Sequence, residues 1–168
     1  MESSAQTPKQ LAEALFALMP RGVSVSALAE YGLELAPERA QQITHELLGT
    51  NLFWASSALE TFLSPSDRDR VWAELQTIVR SAWAPILGVG GQDLEAYFLE
   101  MGRRHRSYQG IVREGGTPMS VLSETASILE SGHVVQAEDR NKVLALLSDL
   151  VPVEEFGDLL EEVDLTPG

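Results

Sequence analysis

Met101-Gly102-Arg103-Arg104-His105-Arg106-Ser107-Tyr108-Gln109-Gly110-Ile111 is the stretch on which the reading of this chain turns. It closes a segment of helical period running from about Gln92 to Tyr108, in which Leu94, Phe98, Met101 and His105 recur at steps of four, three and four residues. Those steps place the imidazole of His105 on the apolar stripe. A neutral ring nitrogen facing an interior needs a partner there, whether a metal, a carbonyl or a water. His105 is therefore either a core histidine bonded to backbone or a residue that holds a ligand.

The same period continues in both directions. Towards the N-terminus, a helix is expected from Pro8 to Met19, stopped by Pro20-Arg21-Gly22, and a short one from Ser24 to Tyr31. From Pro37 the spacing of Ala40, Ile43, Leu47, Leu52, Leu59 and Leu63 predicts two helices, with bends near Gly49-Thr50-Asn51 and Ser56-Ser57. Ser64 or Ser66 is placed to cap a helix through Val71, Leu75, Ile78, Val79 and Ala82, ended by Pro85. Gly88-Val89-Gly90-Gly91 reads as the hinge before the His105 helix.

Beyond Gly115-Gly116-Thr117-Pro118, helices are expected over Met119–Leu129 and Glu138–Leu150. Pro152 breaks the second, which resumes as an acidic segment to Val163. No stretch alternates with period two, so the expected class is all-α with about seven to eight helices.

A chain of 168 residues that is 44% hydrophobic and only 22% charged has the length and composition to fold around one core. Its formal net charge of -13 opposes any polyanion, which argues against general nucleic-acid binding. The charge is uneven: residues 1–63 sum to -4, residues 64–114 to zero and residues 115–168 to -9, so the basic residues gather in the middle third. The absence of cysteine removes disulfides, thiolate metal sites and cysteine nucleophiles together. No apolar run approaches a membrane span, and Met1 to Gln10 lacks the pattern of a secretory leader, so a cytoplasmic chain without membrane partners is expected.

The motifs of hydrolytic chemistry, Gly-x-Ser-x-Gly and His-Glu-x-x-His, do not occur, and no other constellation suggests an enzyme. Gly88, Gly90 and Gly91 have neither a preceding strand nor a following Lys-Ser/Thr, so they do not read as a phosphate loop. Glu130 and His133 form a single Glu-x-x-His pair across a helix stop, and His133 reads as a surface loop residue. Ser24–Leu48 faintly resembles a helix-turn-helix, but Glu38 and Glu46 against a lone Arg39 suit a packing unit better than a DNA reader.

The quoted stretch resembles the proximal helix of globins, in which a leucine-type residue four positions before the ligating histidine is followed by glycine, basic residues, the histidine and an aromatic. Met101, Gly102, Arg103, Arg104, His105, Tyr108 and Ile111 occupy those places, with Gly110 one residue late. Phe62 stands where that family carries the phenylalanine that packs on haem. The resemblance implies a globin-like domain over residues 28–168 behind an N-terminal helical extension, residues 1–27.

It also implies haem as cofactor and a diatomic gas as ligand. His105 would bind the iron, and Phe62, Leu48, Leu75, Phe98 and Met101 would surround the porphyrin. Arg70 would lie on the distal side and Arg104 would face the propionates. Three departures stand beside it: no His, Gln or Tyr occupies the distal place, Pro152 interrupts the last helix, and the N-terminal third matches only in length and a few apolar positions.

The same helical fold occurs without haem. The competing expectation is a haem-free acidic regulator or adaptor acting on a protein partner or as a homodimer. Its docking element would be the tail in which Glu154, Glu155, Asp158, Glu161 and Glu162 interleave with Val153, Phe156, Leu159 and Leu160.

Overall fold

A computed structural model describes residues 5–82 and 94–166. Eight α-helices account for most of them: α1 (Pro8–Leu18), α2 (Val25–Glu30), α3 (Pro37–Phe62), α4 (Pro65–Ala82), α5 (Leu94–Arg113), α6 (Pro118–Ser131), α7 (Arg140–Leu150) and α8 (Val153–Glu161). One 3-10 turn, Ala137–Asp139, leads into α7. The all-α expectation holds, at the upper end of the expected number of helices. Among the described residues the only β-type pairing is an isolated bridge between Gln6 and Leu165. The expected stop at Pro85 and the glycine hinge over Gly88–Gly91 lie outside the described residues.

The helix starts share one local device. Pro stands at the first helical position of α1, α3, α4 and α6, where its missing N–H removes no bond and its fixed φ suits the helix. Thr7 and Thr117 add a capping box, each accepting from the backbone N–H three residues on while that residue's side chain returns the bond. Ser64 Oγ accepts from the Asp67 N–H at 3.3 Å, which makes Ser64 rather than Ser66 the cap of α4. Pro152 ends α7 and opens α8, whose first turn carries Glu154 and Glu155 at the positive end of the helix dipole.

The expected break within residues 37–63 does not occur: α3 runs unbroken for 26 residues. Thr50 and Asn51 turn their side chains back onto the carbonyls of Glu46 and Leu47, at 2.9 and 3.0 Å, which gives each a donor bond inside the helix, while the buried Asn51 Oδ1 accepts no bond among the described residues. Thr61 does the same to Ser57. The polar residues that read as hinges are instead absorbed by the helix they sit in. α5 also outruns its expected end at Tyr108, continuing to Arg113 before the Gly115-Gly116 turn. A Cβ on Gly116 would lie 2.5 Å from the Ile111 side chain, which explains glycine at that turn.

α3 is the central rod, with α8, α5 and α6 against it. At one end α1 lies along α4, and Leu11, Leu15, Leu48, Leu52, Leu59, Val71, Leu75, Val79, Met101, Phe156 and Leu160 form a single apolar cluster. A second cluster joins Leu28, Ile43, Leu47, Leu129, Val143 and Leu147 beneath α2, α6 and α7. α1, in the segment read as an extension, contributes three buried residues to the first cluster, and Met19 after it a fourth. The Gln6–Leu165 bridge ties the segment before α1 to the segment after α8.

Candidate functional site

The segment 101–111 sits on α5 where that helix crosses the middle of α3. Its inward residues meet a polar seam. The Nε2–H of His105 donates to the carbonyl of Gly49 at 2.9 Å, since a carbonyl can only accept. The ring packs edge-on against Phe53, with centroids 5.5 Å apart, and Phe53 in turn packs edge-on against Tyr108. Burial holds the His105 imidazole below its ordinary pKa, partly offset by the Gly49 bond. The ring is thereby kept neutral near pH 7.

One turn further, Tyr108 is wholly buried, and burial raises its phenol against the lowering effect of its hydroxyl partners. Its hydroxyl lies 2.9 Å from that of Thr125 on α6, which lies 3.1 Å from that of Thr50 on α3. One ordering of protons satisfies all three: Tyr108 donates to Thr125, Thr125 to Thr50, and Thr50 to the Glu46 carbonyl. This relay joins three helices through groups that would be costly to bury singly.

At the mouth of the seam, Arg104 clamps two carboxylates. Its Nη2 meets Glu46 of α3 at 3.1 Å, Nε approaches both Glu46 oxygens at 3.3 Å, and Nη1 meets Glu100 at 3.1 Å. Burial disfavours the guanidinium charge, but the bond to Glu46 and the charges of Glu46 and Glu100 more than compensate and raise its pKa. Tyr97 donates to the His45 carbonyl at 2.8 Å, and burial raises its phenol strongly. Between α3 and α5 these residues leave a cleft of about 310 Å³ lined by Glu46, Gly49, Tyr97, Met101, Arg104 and Tyr108, among others. His105 borders a smaller, polar recess of about 170 Å³ on its other side, with Ser56, Gln109 and Arg113.

The residues that the globin resemblance assigns to haem do not surround one cleft. Leu48, Leu75 and Met101 are buried in the apolar cluster with α1, and Phe98 packs at its edge beneath the guanidinium of Arg80, 4.8 Å from the ring centroid. Phe62 is 44% exposed at the end of α3, beside Gly157 of α8. Arg70 bonds Asp67 at 3.0 Å and the Thr166 carbonyl at 3.3 Å. Of the assigned residues only Met101 and Arg104 line the larger cleft.

As arranged here these residues do not fit a haem. The Nε2 of His105 is engaged by Gly49, and the proposed walls are either packed against one another or on the outside. Among the described residues no three His, Cys, Asp or Glu side chains stand close enough to hold a metal ion. Glu130 pairs with Arg140 at 3.2 Å, while His133 is exposed in the turn after α6 with a positive φ of 58°, as its reading as a loop residue requires.

Sequence reasoning missed Gly49, Thr50, Phe53 and Thr125. The signal was present in Gly49-Thr50-Asn51, three weak helix formers inside an apolar run. It marks the buried polar seam and not the bend that three weak helix formers predict.

No helix among the described residues is long and apolar enough to cross a membrane. Comparison with protein-family models, with curated proteins and with solved structures finds no match to this chain.

Proposed function

We propose that this chain is a haem-free helical regulator or adaptor that acts by docking on another protein, with α8 as its acidic contact face. The observation that carries this reading is the seat of His105. An imidazole hydrogen-bonded to an α3 carbonyl, wedged against Phe53 and kept neutral by burial, is a strut between two helices. The polar relay beside it serves the same end.

The chemistry that faces outward is charge. On α8, Phe156 and Leu160 anchor the helix to the core, while Glu154, Glu155, Asp158, Glu161 and Glu162 are exposed. A partner with a basic groove or helix is the complement of that face.

Two measurements test the reading. On adding hemin, the visible spectrum is expected to be the same for wild type and His105→Gln. A Soret shift seen in wild type and lost in the variant would overturn the reading in favour of a haem-binding globin-like module. In the second, a labelled Lys-rich helical peptide is expected to bind wild type and to lose affinity about tenfold or more for Asp158→Arg/Glu161→Arg, as loss and reversal of two ion pairs implies. Equal affinity for both proteins would remove α8 as the docking face.

A further inference from the structure

The outward face of α5 has the opposite character to the rest of the molecule. Leu99, Arg103, Arg106 and Arg113 follow one another along a single solvent-facing stripe, and Leu99 is 64% exposed, the largest value among the exposed large apolar side chains. Arg103 reaches Glu100 at 3.1 Å; Arg106 and Arg113 have no ion-pair partner among the described residues. Along this face the described residues leave open space: nothing lies within 4 Å of where a Cβ on Gly102 or Gly110 would stand. An exposed glycine inside a helix costs about 1 kcal/mol relative to alanine. Neither glycine is required by contacts among the described residues.

The complement is on the same chain. The exposed face of α8 carries Glu154, Asp158 and Glu161, and beside it the half-exposed ring of Phe62 lies against Gly157, 3.8 Å from the position a Cβ would take. Each face thus combines a row of like charges with one exposed apolar anchor. At 1.5 Å per residue, Arg103 to Arg113 spans about 15 Å and Glu154 to Glu161 about 10 Å, so one row can lie along the other.

We propose that α5 of one copy docks on the α8 face of a second copy, pairing Arg106 and Arg113 with Asp158, Glu161 and Glu154 and seating Leu99 near Phe62. The proposal rests on α8 being a docking face, as argued above, and names its occupant. The net charge of -13 opposes approach at long range. At physiological ionic strength the Debye length of about 8 Å confines electrostatics to near neighbours, so the local pairing of opposite rows decides the contact.

The test is a crossed charge reversal on the full chain, read as mass by sedimentation equilibrium. Arg106→Glu/Arg113→Glu and Asp158→Arg/Glu161→Arg alter only exposed side chains, and circular dichroism with thermal melting checks that both variants fold as wild type does. Wild type is expected to associate with rising concentration. Each variant alone sets like charges against each other and is expected to dissociate at least tenfold more readily. Mixing the two variants restores opposite charges at both possible contacts and is expected to recover association.

A wild type that stays monomeric to millimolar concentration would overturn the proposal. So would a mixture no more associated than its components. A monomeric wild type that still binds the Lys-rich peptide through α8 would overturn self-docking while leaving the adaptor reading in place.

Discussion

The two sides of α3 solve the burial problem differently. Towards α1, α4 and α8 it packs against apolar side chains, with Leu11, Leu15, Leu52, Leu59, Val71, Leu75 and Phe156 in one cluster. Towards α5 and α6 the same helix presents Gly49, Thr50 and Phe53, and the contact is made by His105, Tyr108 and Thr125 through directed bonds. Apolar packing is strong and tolerant of detail, whereas a polar seam contributes less and fixes how the helices sit. The difference teaches that α5 is held in register by chemistry, and α1 by area.

The sharpest break in that comparison comes from the apolar side. Leu75→Ala and Leu15→Ala each empty a fully buried site and are expected to destabilise the chain by about 2–5 kcal/mol in urea unfolding. On the polar side, Thr125→Val keeps the volume but severs the relay, leaving the buried Tyr108 hydroxyl without its bond to Thr125. A loss of about 1–3 kcal/mol is expected in the same assay. A Thr125→Val variant as stable as wild type would show that the seam is held by packing like the rest.

The seam should also respond to pH, and the apolar side should not. Burial lowers the pKa of His105 and of His45 in the folded chain relative to the ordinary value near 6.5. Between the folded and the ordinary value the unfolded chain binds more protons, so stability rises with pH there. The histidine contribution is complete above about pH 6.5 and is lost as pH falls below it. His105→Gln keeps an N–H that can donate to Gly49 and removes the titration, so the slope of melting temperature between pH 7 and pH 5 should become shallower than in wild type. An unchanged slope would place the dependence elsewhere.

The smallest effect is expected on the outward face of α5. Arg103→Ala removes an exposed pair with Glu100 and should change stability by less than about 0.5 kcal/mol. A larger loss would mean that this face supports the fold of the single chain.

Much of the architecture was legible in residue order. Thr7-Pro8, Ser64-Pro65 and Thr117-Pro118 are capping signals that act within one turn, and the helices begin where they stand. The continuity of α3 was not legible, because Gly49-Thr50-Asn51 weakens an isolated helix and is rescued only by bonds to its own carbonyls and by α5 lying against it. For the site, His105 stood out by its place on an apolar stripe, and both a backbone partner and a ligand were compatible with that place. In the structure its ring bonds to the carbonyl of Gly49, 56 positions away, a partner that no local pattern names. The charged faces were half legible: the acidic row of α8 shows in the sequence, but the exposure of Arg106 and Arg113 depends on which side of α5 the seam turns inward.

The sequence by itself determined an all-helical chain, the starts of its helices and the uneven distribution of its charge, because caps, proline, periodicity and charge are local properties. Only the tertiary structure decided that His105 bonds across to the α3 backbone, that of the residues assigned to a haem only Met101 and Arg104 line the larger cleft, and that an acidic and a basic face both stand open to solvent. Each of these depends on which distant segments are brought together, and that is set by the joint packing of all the helices around α3.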